Sequence, residues 1–204
     1  MIEGMFLFLV AYLVGAIPFG MVLVYFCGKG DLRKIGSGNI GATNVVRTQG
    51  KLLGVFAFLL DAVKGVGVCA VTASTMPALT VWVGLCAVLG HCFSCFLKLQ
   101  GGKGVATALG IFLFLTPITG LACALIWGIV FSFSRISSLS GLLSIGCAPG
   151  VLWGIAWIGG TPIQDFLSTF WAYVCITLIV ILKHRTNITR LVQGKELKFT
   201  KKCP

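Results

Sequence analysis

The sequence predicts an all-α integral membrane protein, with residues 1–204 forming a single polytopic membrane domain. Of the 204 residues, 57% are hydrophobic and only 10% are charged, whereas a soluble domain usually carries about 25% charged residues. The mean hydropathy is +1.02, and the apolar residues lie in long runs. A helix needs about 20 apolar residues to cross a bilayer, and several runs approach that length.

Seven apolar segments are expected to form the spans. The first, 4–27, follows Glu3 without a basic stretch and is longer than the apolar part of a signal peptide, so we expect a retained span. The others are 52–74, 78–97, 105–115, 118–133, 136–158 and 163–182. The fourth and fifth are short and separated only by Thr116-Pro117, so they form either two spans or one long kinked helix.

The positions of the basic residues distinguish these alternatives. With seven spans and the N-terminus outside, the Lys and Arg residues fall at cytoplasmic loops of about 28–51, 98–104 and 134–138 and in the tail 183–204. The opposite connections carry no basic residue, and Glu3 and Asp165 lie on that side. A merged fourth and fifth segment would place the basic tail outside, against the positive-inside rule. We therefore predict seven transmembrane helices, with the C-terminus cytoplasmic and the polar loops on one face.

The net charge of +11 does not indicate a nucleic-acid partner. The basic residues, from Lys29 and Arg33 in the first loop to Lys201 and Lys202 in the tail, border apolar segments. Such residues meet anionic headgroups, so membrane lipids are the expected partner. The nine cysteines are dispersed, and the CxxC beside His91 has no second cluster to complete four ligands. We expect no metal and no cofactor.

The first loop contains a glycine-rich polar string at 36–47, in which exposed backbone N–H groups suit phosphate oxygens. Thr43 or Asn44 is a candidate N-cap for a short helix running to Thr48. That helix would place Arg47 one turn above Thr43 on the same side. The alternative is a loop whose glycines serve tight turns and whose Arg47 snorkels.

The second loop, Gly101-Gly102-Lys103-Gly104, directly precedes a helical run. Free N–H groups at the helix start, the helix dipole and Lys103 together favour an anion. The spacing is not that of a nucleotide-binding P-loop, so nucleotide hydrolysis is not predicted. The alternative is a basic turn with flexible glycines.

Ionisable residues also occur inside the predicted spans and in the tail. Asp61 and Lys64 lie three residues apart, and we expect them to neutralise each other as a structural brace or to orient Lys64 toward the site. We interpret His91 as a packed polar group. In the tail, His184, Asn187 and Arg190 recur at helical spacing, and Glu196 is expected to pair with a site Arg or Lys. The alternative is a lipid-binding tail, which Lys198 fits.

Four strings together resemble one family, the bacterial acyl-phosphate:glycerol-3-phosphate acyltransferases (the PlsY family). They are residues 37–47, 61–65, 101–107 and 184–191, in family order across essentially the whole chain. The resemblance implies transfer of a fatty acyl group from acyl phosphate to the 1-hydroxyl of sn-glycerol 3-phosphate. The products would be lysophosphatidate and phosphate, in the first committed step of phospholipid synthesis. It also implies seven spans in the bacterial inner membrane, a cytoplasmic active site, and an acyl-phosphate-forming enzyme as a partner. The chain departs from the family pattern around Cys92, Ser94 and Cys95, where proline is common at Ser94.

The resemblance and the chemistry of the loops give a set of expected roles. The candidate catalytic residues are His184, Lys103 and Arg47. The candidate substrate-binding residues are Ser37, Gly38, Asn39, Gly41, Thr43, Asn44, Gly101, Gly102, Gly104, Ser138, Asn187 and Arg190, and the supporting residues are Asp61, Lys64, His91, Arg135 and Glu196.

Individual tasks follow for these groups. Ser37, Thr43 and Arg47 are expected to hold the phosphate of the acyl donor. Residues 101–104 form the phosphate loop that the family associates with glycerol phosphate. His184 and Asn187 position the acceptor, and Arg135 with Ser138 closes the pocket.

The group that removes the hydroxyl proton stays open. Neither histidine begins an HxxxxD pattern, because Phe96 and Thr189 stand where the aspartate would be. Either the donor phosphate accepts the proton while His184 donates a hydrogen bond, or His184 is the general base. The alternative function is a transporter of an anionic phosphorylated metabolite. Against it, the polar motifs crowd one membrane face. A lipid-binding scaffold would leave the glycines unexplained.

Overall fold

The computed structural model describes residues 2–28, 30–159 and 163–199, without the side chains of 163–165. The predictions for Lys29, Lys201, Lys202 and the side chain of Asp165 lie outside this description. Within these ranges the chain is helical and contains no strand. The α-helices are α1 (Ile2–Ala16), α2 (Phe19–Phe26), α3 (Ala42–Gln49), α4 (Lys51–Thr75), α5 (Thr80–Cys92), α6 (Val105–Leu115), α7 (Pro117–Ser134), α8 (Ser137–Gly146), α9 (Ala148–Gly159), α10 (Ile163–Lys183) and α11 (Arg185–Val192).

Several of these helices are long and apolar enough to cross a bilayer. The described residues contain five such segments: Lys51–Thr75, Pro77–Leu97, Pro117–Ser134, Ser137–Gly159 and Phe166–Lys183. The pair α1 and α2, bent by 44°, makes a sixth if it is counted as one span. Helix α6 is apolar but, at about 1.5 Å per residue, shorter than the hydrocarbon layer. The chain is therefore a multi-pass membrane protein.

Prolines account for the helix boundaries that differ from the predicted segments. The first predicted segment is divided at Pro18, which lacks an N–H group and restricts the residue before it. The segment 136–158 forms α8 and α9, and Pro149 lies in the first turn of α9. The segment 105–115 coincides with α6. Helices α6 and α7 are separate and pack together, with Gly120 against the backbone of Leu113. The single kinked helix is therefore wrong.

Small residues bring the helices of the core close together. A Cβ on Gly15 would overlap the backbone of Ala87, and a Cβ on Gly110 would overlap that of Ala62. Such contacts let membrane helices pack by van der Waals attraction. The rings of Phe112 and Tyr173 lie 4.1 Å apart inside this core. The close packing fixes the helix ends from which the polar loops emerge.

Candidate active site

Asn44 holds the first loop in its folded shape. The side chain is fully buried. Its Oδ1 accepts a hydrogen bond from the Ser37 backbone N–H at 2.8 Å, and its Nδ2 donates to the carbonyls of Leu32 and Ile35 at 3.1 and 3.0 Å. Asn44 and Thr43 were wrong as candidate caps, because α3 begins after Gly41 without a side-chain cap. The Asn44 amide instead satisfies backbone groups of the preceding loop.

Thr43 and Arg47 lie one turn apart in α3, and both face the same cavity, as the spacing predicts. The hydroxyl oxygens of Thr43 and Ser137 are 2.8 Å apart, which joins the first loop to α8. Arg47 donates from Nη2 to the carbonyl of Leu197 at 2.9 Å, and its guanidinium lies 4.6 Å from the ring centroid of Phe199. These contacts hold Arg47 at the cavity, unlike a snorkelling side chain.

Lys103 and the start of α6 line the same cavity. Gly104 has a φ of 84° and precedes α6, whose first residues, Val105 and Ala106, contribute to the cavity wall. Lys103 is half-buried, and burial lowers its pKa to about 8, although the nearby carboxylate of Glu196 opposes the shift. A helix N-terminus beside a cation favours an anionic ligand.

Gly101 and Gly102 approach the end of α5 closely. The Gly102 N–H donates to the carbonyl of His91 at 2.9 Å, and a Cβ on Gly102 would overlap the His91 ring. Behind this contact, Nζ of Lys64 lies 2.9 Å from Nδ1 of His91 and 2.8 Å from Oδ1 of Asp61. The expected Asp61–Lys64 pair is formed, and His91 is packed against it. The network supports the second loop from inside the bundle.

His184 lies between α10 and α11, and its ring is buried. Its Nδ1 lies 2.8 Å from the carbonyl oxygen of Val180, and since a carbonyl only accepts, Nδ1 carries the proton. Burial, followed by the positive charge of Lys103, lowers the pKa of His184 to about 4. The imidazole is therefore neutral at pH 7, and its Nε2 offers a lone pair. In this tautomer Nε2 accepts a hydrogen bond, whereas the sequence analysis expected His184 to donate one if the donor phosphate takes the proton.

Glu196 fastens the tail across the site. Its Oε1 accepts from Ser138 Oγ at 2.8 Å and from Asn187 Nδ2 at 2.6 Å, and its Oε2 accepts from Arg190 Nε at 2.7 Å. Burial alone would raise the pKa of Glu196, but the bonds from Arg190, Asn187 and Ser138 outweigh it, and the pKa lies below its usual value. The expected pairing with a basic residue is thus made with Arg190.

These groups enclose a polar cavity of about 110 Å³. The predicted residues that line it are Ser37, Asn39, Gly41, Thr43, Asn44, Arg47, Asp61, His91, Lys103, Gly104, Ser138, His184, Asn187 and Glu196. Four predicted residues, Gly38, Gly101, Gly102 and Arg190, line an adjoining opening instead. Lys64 does not line the cavity, and Arg135 lines an apolar groove that adjoins it.

The adjoining opening has a volume of about 770 Å³. It shares Ser37, Asn39, Lys103 and Asn187 with the polar cavity. Its other basic side chains are Arg33, Lys183, Arg185 and Arg190, and no carboxylate occurs among its described lining residues. We call it the basic opening. Arg33 and Arg190 are paired with Asp31 and Glu196, so the excess positive charge of the opening comes from Lys103, Lys183 and Arg185, and it favours small anions.

The apolar groove has a volume of about 1100 Å³ and runs between α3, α4, α6, α7 and α8. It shares Thr43, Phe58, Trp127 and Ser137 with the polar cavity. The sequence analysis did not predict that Phe58, Trp127 and Ser137 line both spaces, or that Phe199 lines the groove. Ser137 stands next to a predicted residue, but an aromatic residue in so apolar a chain carries no distinguishing signal.

Two further points of the sequence analysis concern a possible metal site and the departure from the family pattern at Ser94. In the part of the chain that is described, no group of three or more His, Cys, Asp and Glu residues is placed to hold a metal ion. Cys92 is buried and Cys95 exposed. Ser94, where the family pattern has proline, donates from Oγ to the carbonyl of Ala16 at 2.6 Å.

The fold and site define a multi-pass membrane protein whose polar cavity adjoins a basic opening and an apolar groove. The family model described as glycerol-3-phosphate acyltransferase matches residues 5–194. Curated glycerol-3-phosphate acyltransferases from Gluconobacter oxydans and Mesorhizobium japonicum are 41% and 43% identical, covering 92% and 98% of this chain and 89% and 98% of their own lengths.

Solved structures agree. Crystal structures of PlsY (YgiH), an integral membrane glycerol 3-phosphate acyltransferase, in its glycerol 3-phosphate and lysophosphatidic acid forms, superpose with TM-scores of 0.86 and 0.84 at 36% and 34% identity. Each comparison covers 97% of this chain and 96% of the solved one. The chain belongs to the glycerol-3-phosphate acyltransferase family, and the resemblance to the PlsY family is confirmed.

Proposed function

We propose that the protein transfers a fatty acyl group from acyl phosphate to the 1-hydroxyl of sn-glycerol 3-phosphate, yielding lysophosphatidate and phosphate. The observation that carries this proposal is the junction of one polar cavity with both a basic opening and an apolar groove. A water-soluble phosphate and a lipid-like phosphate can therefore reach the same cavity by different routes. Membership of the family supports the same activity.

Glycerol 3-phosphate enters through the basic opening in this proposal. Lys183 and Arg185 attract the dianion, and Lys103, which lines both the opening and the cavity, meets it between them. Asn187 and His184 then face the glycerol hydroxyls, because both are buried and line the cavity. The buried Oδ1 of Asn187 makes no hydrogen bond among the described residues, so it is available to accept one from a hydroxyl.

The acyl phosphate enters from the membrane side. Its alkyl chain lies along the apolar groove, between Phe58, Leu109 and Trp127, and its phosphate lies against Ser37, Thr43 and Arg47 in the cavity. The Thr43–Ser137 contact stands where the groove meets the cavity. The reacting carbonyl then sits between the apolar and polar parts of the donor.

The reaction depends mainly on positioning the two substrates and on stabilising the negative charge of the leaving phosphate. Holding two reactants in place contributes up to about 7–11 kcal/mol in favourable cases. The acceptor oxygen attacks the carbonyl carbon, and the carbon–oxygen bond to phosphate breaks. Lys103, Arg47 and the α6 N-terminus stabilise the negative charge on the departing phosphate. That phosphate takes the proton of the attacking hydroxyl, while Nε2 of His184 accepts a hydrogen bond from the other hydroxyl of the glycerol and so orients the acceptor.

The site lies at the cytoplasmic face of the bacterial inner membrane, with seven crossings and the N-terminus outside, in this proposal. The bent pair α1–α2 and the short α6 supply the crossings beyond the five long apolar segments. The antiparallel packing that separates α6 from α7 supports this count. Positive-inside charge supports the orientation, since the loops that line the site carry the basic residues. An acyl-phosphate-forming enzyme is the expected supplier of the donor.

The test uses purified protein in nanodiscs, which enclose no compartment. With acyl phosphate and glycerol 3-phosphate, we expect lysophosphatidate and an equal amount of phosphate. Lys103→Ala should abolish turnover, whereas Lys98→Ala, in the same loop but away from the cavity and its openings, should retain it. Absence of product in nanodiscs, together with glycerol 3-phosphate uptake into sealed proteoliposomes, would support the transporter instead.

A further inference from the structure

The tail beyond Glu196 crosses from α11 to the turn between α7 and α8. Backbone N–H of Phe199 donates to the carbonyl of Arg135 at 2.8 Å. The Phe199 ring meets the ring of Phe131 edge-on, with centroids 5.3 Å apart. Leu197 and Phe199 lie past the end of the matched family region at 194, so the family match assigns them no role.

Phe199 and Leu197 together hold the guanidinium of Arg47. The carbonyl of Leu197 accepts from Nη2 at 2.9 Å, and the Phe199 ring lies 4.6 Å from the guanidinium carbon. The hydrogen bond to Leu197 fixes the position of one guanidinium nitrogen, and the ring face of Phe199 adds a contact with the guanidinium group. A cation–π contact of this kind strengthens as water is excluded.

Phe199 also borders the apolar groove, which Arg47 does not line. Phe199 therefore lies between the polar cavity and the groove. It contacts a cavity cation on one side and faces the space for an alkyl chain on the other. Val46 and Lys51 line the same stretch of groove.

We propose that Phe199 is a positioning and specificity residue for the donor. Its ring orients Arg47 toward the donor phosphate, and its bulk forms the wall against which the alkyl chain packs. This inference rests on the proposed function. In this proposal the Phe199 side chain contributes both an aromatic face and an apolar volume. Different substitutions remove these two contributions.

Three variants separate these contributions in nanodiscs. Phe199→Leu keeps apolar bulk but loses the ring face, so kcat should fall on the order of tenfold with an unchanged KM for acyl phosphate. Phe199→Ala loses both, so the donor KM should also rise several-fold. Phe199→Tyr keeps both and should behave as wild type. The KM for glycerol 3-phosphate should stay constant throughout.

Phe133→Ala is the matched control, since Phe133 is an aromatic residue near the same turn, is 87% exposed and lines neither the cavity nor the groove. Wild-type kinetics in Phe199→Ala would overturn the proposal. A rise of both KM values together would also overturn it, because that would indicate general loosening of the tail.

A binding measurement separates this inference from the proposed function. Dodecyl phosphate should raise the thermal midpoint of the wild type and of Phe133→Ala, and at the same concentration it should raise that of Phe199→Ala by clearly less. If the wild type makes no lysophosphatidate but this difference is seen, the proposed reaction fails and the inference stands. If dodecyl phosphate stabilises Phe199→Ala as it does the wild type, or stabilises neither, the inference fails.

Discussion

His184 directs Nδ1 at the carbonyl oxygen of Val180, 2.8 Å away and one helical turn earlier. The contact fixes the tautomer and leaves Nε2 as an acceptor. Because burial and Lys103 lower the pKa of His184 to about 4, the imidazole is a weak base at pH 7. The low basicity therefore favours the donor phosphate as the acceptor of the attacking hydroxyl's proton, with His184 orienting glycerol 3-phosphate through its other hydroxyl.

His184→Gln is expected to retain much of the turnover, because the Gln amide oxygen also accepts a hydrogen bond. His184→Ala should lose substantially more, about one to two orders of magnitude. Steady-state kcat of both variants, at saturating acyl phosphate and glycerol 3-phosphate, checks this expectation. Equal and near-complete loss in both variants, with unchanged acceptor affinity, would identify His184 as the general base.

The same low pKa predicts a pH-dependent stability. Because the folded pKa lies near 4 and the ordinary value is 6.5, His184 contributes its full stabilisation above about pH 6.5. This contribution, about 3 kcal/mol from the size of the shift, is lost as the pH falls toward 4. Thermal midpoints in detergent between pH 4 and 7 should fall less steeply for His184→Gln than for the wild type. Parallel curves would show that His184 titrates normally.

The low pKa of Lys103 predicts that activity falls at alkaline pH. Burial lowers its pKa to about 8, so the ammonium that stabilises phosphate is lost as the pH rises through that value. In the wild type, kcat/KM for glycerol 3-phosphate should decline above about pH 8. Lys103→Arg keeps its charge in this range and should show no such decline, even if its rate at pH 7 is lower. An identical alkaline limb in both proteins would assign it to another group.

The two ion pairs of Asp61 and Asp31 should differ sharply in their effect on stability. Asp61→Asn leaves Lys64 buried without its partner, which is expected to cost about 3–5 kcal/mol. Asp31→Asn removes a pair with the exposed Arg33 and should leave the thermal midpoint nearly unchanged. Thermal unfolding of both variants in one detergent gives the comparison. A small effect of Asp61→Asn would mean that the network does not support the bundle.

Local sequence predicted most of the helices and the motif residues. Hydropathy and length identify spans because the bilayer requires both, and the bounds of α6 agree with the predicted segment. The division at Pro18 was missed because proline is tolerated in membrane helices where neighbouring groups satisfy the freed backbone. In the tail, helical spacing correctly placed His184 and Asn187 on one face, and both line the cavity.

Contacts between distant parts of the chain escaped the sequence analysis. Thr43 meets Ser137, which is 94 residues away, and Arg47 meets Phe199, which is 152 residues further on. No sequence periodicity relates positions that are so far apart. An aromatic residue in a basic tail suggests contact with lipid and not with an arginine. Asn44 was a candidate N-cap because its residue type favours that position. In the structure its side-chain amide instead forms hydrogen bonds with the backbone of the preceding loop.

The central claim is that separate loops meet at one membrane face around shared substrates. Arg33→Cys and Gln100→Cys, introduced singly into a cysteine-free background, test it most directly, since both positions line the basic opening. In sealed vesicles of known orientation, an impermeant maleimide should label both from the cytoplasmic side, and glycerol 3-phosphate should slow both reactions. Labelling of the two positions from opposite sides would contradict the account.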